Sequence, residues 1–201
     1  MEKMGKEIDK LSNELTALRW EFWEKHTLFT WQWWCFLAVC VLFAALAVVL
    51  LRRRGLVSAV AYYGAIYVLN KNLDDWATAM DWYDYRMQLE PIIPTMLPAN
   101  LFAVPIALTI LYQRLPRWRG YLAGLAAFSA IVSYAVLPLA EWAGIYLTKE
   151  WNAHFSMLSL LAMGAIAKGA VDGLKRLEAG DAPKDRAAGG KVGYSVNRVD
   201  E

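Results

Sequence analysis

The sequence predicts an all-α fold: a polytopic membrane helix bundle with five transmembrane helices and an additional N-terminal amphipathic helix. Hydrophobic residues make up 58% of the 201 residues, more than the roughly 45–50% of an average soluble domain. They are concentrated in long runs, and arginine clusters alternate with acidic segments between those runs. The predicted parts are the amphipathic helix at 1–30, the transmembrane domain at 31–177 and a disordered cytoplasmic tail at 178–201, which is rich in Gly, Ala and charge.

The N-terminal segment has apolar residues at spacings of three and four, which indicates one apolar helix face. These residues are Ile8, Leu11, Leu15, Leu18 and Phe22. The stripe is short for a stable coiled coil. Three interpretations therefore stay open: the helix lies on the membrane, binds a protein partner, or self-associates through residues 8–22. Tryptophans just after it predict an interfacial belt.

Five apolar runs follow, and the predicted spans lie near 33–51, 56–76, 95–112, 121–142 and 155–173. The first run contains no polar residue and matches the roughly 20 residues that cross a bilayer as a helix. Its two cysteines, Cys35 and Cys40, are too far apart along a helix to pair. The second run stays apolar only to Leu69, so its last turns must be polar.

Orientation follows from the basic residues, because cytoplasmic loops retain them. Basic clusters follow the first, third and fifth runs, so these loops are expected to share one side. The topology-determining residues are Arg52, Arg53, Arg54, Arg114, Arg117 and Arg119. The predicted protein is a multi-pass cell-membrane protein with its N-terminus outside and its C-terminus in the cytoplasm.

Acidic residues gather at the opposite end of the predicted bundle. There we expect a polar vestibule that faces outward and favours cations by its field, although a solvated acidic rim without a ligand would give the same pattern. The candidate residues are Asp74, Asp75, Asp81, Asp84, Glu90, Asn100, Glu141 and His154.

The stretch from Leu73 to Glu90 has its own periodicity. Trp76, Met80, Tyr83 and Met87 recur at spacings of four, three and four. This pattern predicts an amphipathic helix that continues the second span, or lies on the outer surface after a bend. Lys71 would pair with an aspartate one turn later.

Several polar residues and prolines allow two interpretations each. Pro98 and Pro105 either open and kink the third span locally or break it beside a cavity. Glu141 lies either within the membrane or at its boundary. Glu150 and His154, four residues apart, are expected on one helix face at the start of the fifth span, where they form either a solvated contact or part of a proton or metal site, and no metal is assigned. Lys168 is expected to extend to the cytoplasmic boundary.

Two blocks of sequence, "LEPIIPTMLPANLFAVPIALTILYQRLPRW" and "LPLAEWAGIYLTKEWNAHFS", resemble a family of small, functionally uncharacterised polytopic membrane proteins of endospore-forming bacteria. The resemblance implies a membrane topology of about five helices and a bacterial host, and it implies no chemistry. The residues that carry it are Leu97, Pro98, Asn100, Leu101, Pro105, Tyr112 and Gln113, then Trp142, Gly144, Tyr146, Trp151 and Ser156.

The function expected from the sequence is that of an accessory or structural membrane protein whose N-terminal helix binds a partner. The alternative is a small cation or solute permeation or binding protein that uses the acidic vestibule. No nucleophile, metalloprotease or paired-carboxylate motif indicates an enzyme, and no cofactor is expected. The net charge of +2 and the lack of a basic stripe argue against nucleic acid. The expected partners are the lipid bilayer and protein.

Overall fold

A computed structural model describes residues 2–92 and 95–180. The protein is mostly helical, which confirms the all-α prediction at this level. The helices are α1 (Glu2–Phe22), α2 (Trp31–Leu50), α3 (Leu56–Ala79), α4 (Val104–Arg114), α5 (Trp118–Ile131), α6 (Leu137–Trp142) and α7 (Ala153–Gly180). Two short strands are β1 (Tyr83–Tyr85) and β2 (Tyr146–Thr148). The predicted disordered tail lies outside the described residues from residue 181 onward.

Three stretches of π-helix extend these helices. Trp23–Thr27 continues α1, Pro98–Ala103 leads into α4, and Val132–Val136 joins α5 to α6. The last two precede a proline, which has no amide hydrogen to donate. The Val104 amide donates to the Ala99 carbonyl and the Leu137 amide to the Val132 carbonyl, each five residues back. The wider turns thereby keep Pro105 and Pro138 inside continuous helices.

Within the part of the chain that the structure describes, three helices are long and apolar enough to cross a membrane: Trp31–Leu50, Trp118–Trp142 and Ala153–Ala179. Their outward side chains are apolar and exposed, as shown by Val48 at 85% and Leu158 at 62% exposure. Soluble proteins rarely expose apolar surface on this scale. The protein is therefore a membrane protein whose outer surface faces hydrocarbon.

The predicted helix from Leu73 to Glu90 is wrong beyond Ala79. α3 ends at Ala79, and Asp81 has a left-handed backbone with φ of 59°. The chain then forms β1, which pairs antiparallel with β2, with Tyr85 opposite Tyr146. The alternating aromatic residues of β1 suit a strand that buries one face, and this pairing overrides the helical periodicity.

The core is built from α3, α4, α5 and α7. Tyr62 and Ile66 of α3, Leu108 of α4 and Leu125 of α5 are completely buried, and they pack against α7 through Leu160, Met163 and Ala167. This core is predominantly apolar, although the same helical segments also bury the hydroxyl groups of Thr109, Ser129 and Ser133. The charged clusters of the protein lie toward its two ends.

α5 and α7 approach one another closely at Gly164 of α7. A Cβ atom there would lie 2.6 Å from Leu125 Cδ1 and 3.0 Å from the Tyr121 hydroxyl. The Tyr121 hydroxyl also donates a 2.8 Å hydrogen bond to the Gly164 carbonyl. Only glycine allows α5 and α7 to approach this closely.

Gly164→Val is expected to destabilise the protein by about 1–3 kcal/mol, because the new side chain overpacks the contact between α5 and α7. Thermal unfolding of the purified protein in detergent measures this effect. Gly173→Val is the matched control, since it makes the same change on the same helix where a Cβ meets nothing within 4 Å. An equal loss for both variants would contradict a close contact at Gly164.

Candidate functional site

A buried carboxylate, Asp74, lies near the end of α3 beneath the β1–β2 pair. It is 4% exposed. Its Oδ1 atom accepts hydrogen bonds from the Tyr83 and Tyr85 hydroxyls, both at 2.7 Å, and its Oδ2 atom accepts one from the Asn100 amide. Asn70 donates to the Asn100 Oδ1 atom at 2.6 Å. We call these five residues the Asp74 cluster.

Aromatic rings surround the tyrosines of the Asp74 cluster. The Tyr146 ring of β2 lies 5.4 Å from the Tyr83 ring and 5.7 Å from the Tyr85 ring, measured between centroids. Trp151 packs edge-on to Tyr83 at 5.8 Å, and its indole donates to the Ser156 hydroxyl at 2.7 Å. A cavity of about 100 Å³ lies between these residues and Asp74.

The hydroxyls that bind Asp74 stay protonated over the ordinary pH range. Burial raises the pKa of Tyr83 well above its usual value, and the neighbouring Asp74 carboxylate raises it further. The same causes, in the same order, raise the pKa of Tyr85 and of Tyr146. Because the phenolate form is disfavoured, Tyr83 and Tyr85 remain donors to the carboxylate.

Most of the other predicted vestibule acids bind local partners away from the Asp74 cluster. Asp75 forms an ion pair with Lys71 one turn earlier, as expected from their spacing, and Asp81 forms one with Lys149. Both aspartates have substantially exposed side chains. Their charges are therefore compensated where they stand.

Asp84 and Glu90 lie in the segment after α3, and their carboxylates accept hydrogen bonds from backbone amides. The Asp84 side chain accepts from the Tyr85 amide at 2.8 Å and lies 3.6 Å from Arg86. Glu90 accepts from the Ile92 amide at 2.7 Å. These contacts stabilise turns next to β1, so neither carboxylate joins Asp74.

Glu141 and His154 are exposed at the same end of the bundle. Glu141 occupies the last turn of α6 and accepts a hydrogen bond from the Thr148 hydroxyl. The His154 Nδ1 atom lies 2.6 Å from the Tyr134 hydroxyl. α7 begins at Ala153, so Glu150 precedes the helix and the predicted shared helix face with His154 is wrong. Within residues 2–92 and 95–180, no group of three or more metal-ligating side chains comes together.

The structure thus brings together only Asp74 and Asn100 among the candidate vestibule residues. Tyr83 and Tyr85 were not among the candidate residues, because the helical periodicity of this stretch predicted a helix there. Alternation of aromatic residues at 83 and 85 was the signal for a strand.

A second polar cluster lies at the other end of the bundle, around Lys168 of α7. This lysine is 1% exposed, and that its side chain extends to the cytoplasmic boundary stays a prediction. Its Nζ atom lies 3.0 Å from the Asp172 carboxylate and donates to the Pro116 carbonyl at 3.2 Å. It also lies 4.8–5.2 Å from the ring centroids of Tyr112, Trp118 and Tyr121. We call these residues, without Pro116, the Lys168 cluster.

Tyrosines connect the Lys168 cluster to the core. The Tyr62 ring stacks on Tyr112 at 4.4 Å, and its hydroxyl lies 2.5 Å from the Tyr121 hydroxyl. The Tyr112 hydroxyl donates to Asp172 at 3.1 Å and accepts from Lys175 at 2.6 Å. The sequence signal for this cluster was the spacing of Lys168 and Asp172, one turn apart in an apolar helix. A charged side chain in such a helix is costly, so it usually faces the interior of the bundle and pairs with an opposite charge.

The arginines after the first and third apolar runs meet at this same end. Gln113 holds the loop after α2 by accepting from the Arg52 amide at 2.8 Å and donating to the Arg52 carbonyl at 3.2 Å. The Arg114 guanidinium donates to the Leu50 carbonyl at 3.1 Å. Arg117 and Arg119 flank the start of α5, next to Trp118 of the Lys168 cluster.

Comparisons with models of protein families, with curated proteins and with solved structures found no match.

Tyr83→Phe is expected to lower the free energy of unfolding by about 1.5–3 kcal/mol, because it removes a buried hydrogen bond to a carboxylate. Thermal unfolding of the purified protein measures the loss. Tyr134→Phe is the control, since its hydroxyl bonds to His154 on the exposed surface and should contribute less than about 1 kcal/mol. Equal losses would show that the Asp74 cluster gives no special stability.

Proposed function

We propose that this chain is an accessory or structural membrane protein with five spans, and that α1 joins it to a second copy of the chain. The observation that carries this proposal is the state of α1, in which no residue is buried. Its whole apolar stripe is exposed, from Ile8 at 64% to Leu18 at 62%. An apolar stripe of this kind requires a covering surface.

The charges of α1 favour a helix as that covering surface. Acidic and basic residues are mixed along it and form pairs one turn apart, such as Glu2 with Lys6 at 2.7 Å and Lys10 with Glu14 at 3.7 Å. Helices that lie on membranes are instead rich in lysine and arginine on the polar face. Mixed charges beside an apolar stripe are typical of coiled coils.

The heptad positions favour a parallel pair of identical helices. With Ile8 and Leu15 at position a and Leu11 at position d, Glu14 falls at position g and Arg19 at position e. In a parallel pair Glu14 of one copy lies opposite Arg19 of the other. An antiparallel pair would place glutamates of the two g positions against one another. Two copies in one membrane with a common orientation present α1 in the same direction, which fits the parallel arrangement.

The proposed spans are the three long apolar helices together with α3 and the helical segment Pro98–Arg114. α3 packs between α4 and α7 in the core, so its polar final turns meet protein at the Asp74 cluster. The segment Pro98–Arg114 rises about 25 Å at 1.5 Å per residue, close to the roughly 30 Å of hydrocarbon. The resemblance to membrane proteins of endospore-forming bacteria supports the same number of spans.

The proposed orientation places the Lys168 end of the bundle in the cytoplasm. Arg52, Arg114 and Lys175 lie there, and basic residues are retained on the cytoplasmic side. The Asp74 end and α1 then lie outside.

Completely buried apolar residues in the middle of the bundle argue against cation permeation, and they therefore favour an assembly role. Ile66, Leu108 and Leu125 are completely buried between the two polar clusters. Asp74 lies about 18 Å beyond Tyr62 along α3, at 1.5 Å per residue. Crossing that layer would expose an ion to hydrocarbon side chains, which is costly.

Leu11→Glu is expected to abolish co-purification of two differently tagged copies expressed together, because it places a carboxylate in the apolar stripe. The measurement is recovery of the second tag after affinity capture of the first in mild detergent. Asn13→Glu is the matched control, since it introduces the same side chain on the opposite face of α1. Undiminished co-purification by Leu11→Glu would contradict association through α1.

A charge exchange distinguishes a second copy from another protein partner. Glu14→Arg alone should reduce self-association, and Glu14→Arg combined with Arg19→Glu should restore it. If the stripe variants lose a different co-purifying protein and the exchange restores nothing, the accessory role stands and self-association is wrong.

The proposed topology predicts that cysteines placed at Arg53 and Arg117 react from the same side of the membrane. The measurement uses a membrane-impermeant thiol reagent on intact and on opened cells, in a chain without Cys35 and Cys40. Both positions should be protected in intact cells and labelled after opening. Labelling of only one of them in intact cells would overturn the five-span arrangement.

A further inference from the structure

A cavity of about 220 Å³ opens at the Lys168 end of the bundle, between the α2–α3 loop, the end of α4 and α7. Its charged lining residues are Arg52, Arg54, Lys168, Lys175 and Asp172. Four cations therefore face one acid. A concave surface with this excess of one charge concentrates ions of the opposite sign.

The single acid of the cavity is already bound. Asp172 forms its ion pair with Lys168 at 3.0 Å and accepts from Tyr112 at 3.1 Å. Within the described residues, Arg52, Arg54 and Lys175 form no ion pair. The cavity thus holds three cations whose charge is not compensated by the protein itself.

The cations come from two separate segments, the α2–α3 loop and α7. The Arg52 backbone is held at both its amide and its carbonyl by Gln113. Gly55 adopts a left-handed backbone with φ of 77° at the start of α3, which turns the loop sharply and keeps Arg54 beside the cavity. On the facing helix, Lys175 donates to Tyr112, and Lys168 is buried among aromatic rings beneath it. The cavity is therefore lined by basic residues from two segments of the chain that face one another.

We propose that this cavity binds a phosphate-bearing anion. Guanidinium and ammonium groups together give the short, charge-assisted hydrogen bonds that phosphate oxygens accept. A basic pocket between transmembrane helices at the cytoplasmic boundary is well suited to an anionic phospholipid headgroup. A soluble phosphate has the same binding chemistry, and the experiment separates the two sources. The proposal rests on the proposed spans and orientation, and it is independent of the role of α1.

The test uses the purified full-length chain, depleted of lipid in a neutral detergent and titrated with dioleoylphosphatidylglycerol. The thermal shift gives the apparent Kd, because a ligand that binds only the folded state raises the unfolding temperature. Dioleoylphosphatidylcholine has the same chains and no net charge, and it should give no comparable shift.

Arg54→Gln is expected to weaken binding of the phosphatidylglycerol about tenfold, because it removes one charge-assisted contact. Arg53→Gln is the matched control, since this neighbouring arginine has the same charge and does not line the cavity. Lys175→Gln, on the facing helix, should weaken binding by a similar factor to Arg54→Gln. Unfolding without lipid verifies that each variant is folded.

Inorganic phosphate provides the second arm of the experiment. A shift by phosphate alone that Arg54→Gln removes, with no further shift by the lipid, supports the site with a soluble phosphate as its ligand. Equal shifts by the two phospholipids without a phosphate effect, or equal losses in Arg53→Gln and Arg54→Gln, would overturn the proposal.

Discussion

The hydrogen bonds around Asp74 hold together three parts of the chain that are distant in sequence. Asp74 lies near the end of the core helix α3, Tyr83 and Tyr85 belong to the short strand after it, and Asn100 lies in the π-helical segment that leads into α4. A buried carboxylate without hydrogen bonds is very unfavourable. The folded chain satisfies it with phenols and an amide, and this requirement fixes where β1 lies. β2 then follows by pairing with β1, which closes this end of the bundle.

The Lys168 cluster solves the same problem for the opposite charge at the other end. An ammonium group in a bundle core requires an acid, polar acceptors or aromatic faces, and Lys168 has all three. The two clusters lie on either side of an apolar layer, so the polar groups of each end are satisfied separately.

The sequence predicted the helical class and the approximate helix positions because both depend on local apolar runs. The runs near residues 33–51 and 121–142 correspond to helices that the structure describes with small shifts of their ends. The prediction was wrong after Ala79, because the partner of β1 lies some 60 residues away and no local pattern reports it. It also did not reveal that Lys168 is buried, because the aromatic rings around it come from other helices. The local signal for its ion pair was Asp172, one turn later.

The alternation of basic and acidic loops was more informative than any single residue in those loops. The structure brings Arg52 and Arg114 to one end and the aspartates to the other. Within the acidic group, however, charge alone did not distinguish Asp74 from Asp75. The two differ in burial and in partners, because adjacent residues on a helix point about 100° apart. One enters the bundle and the other meets Lys71 at its edge.

The π-helical turn at Val132–Val136 determines the angular position of everything that follows it in the same helical rod. Such a turn contains one residue more than a regular α-helical turn. Shortening it by a single residue would rotate α6 by about 100° around its own axis, while leaving α5 as it is. Glu141 would then leave Thr148, and the connection to β2 would start from the wrong side. The length of this rod is therefore fixed to within one residue, even though much of its surface faces lipid and tolerates many apolar side chains.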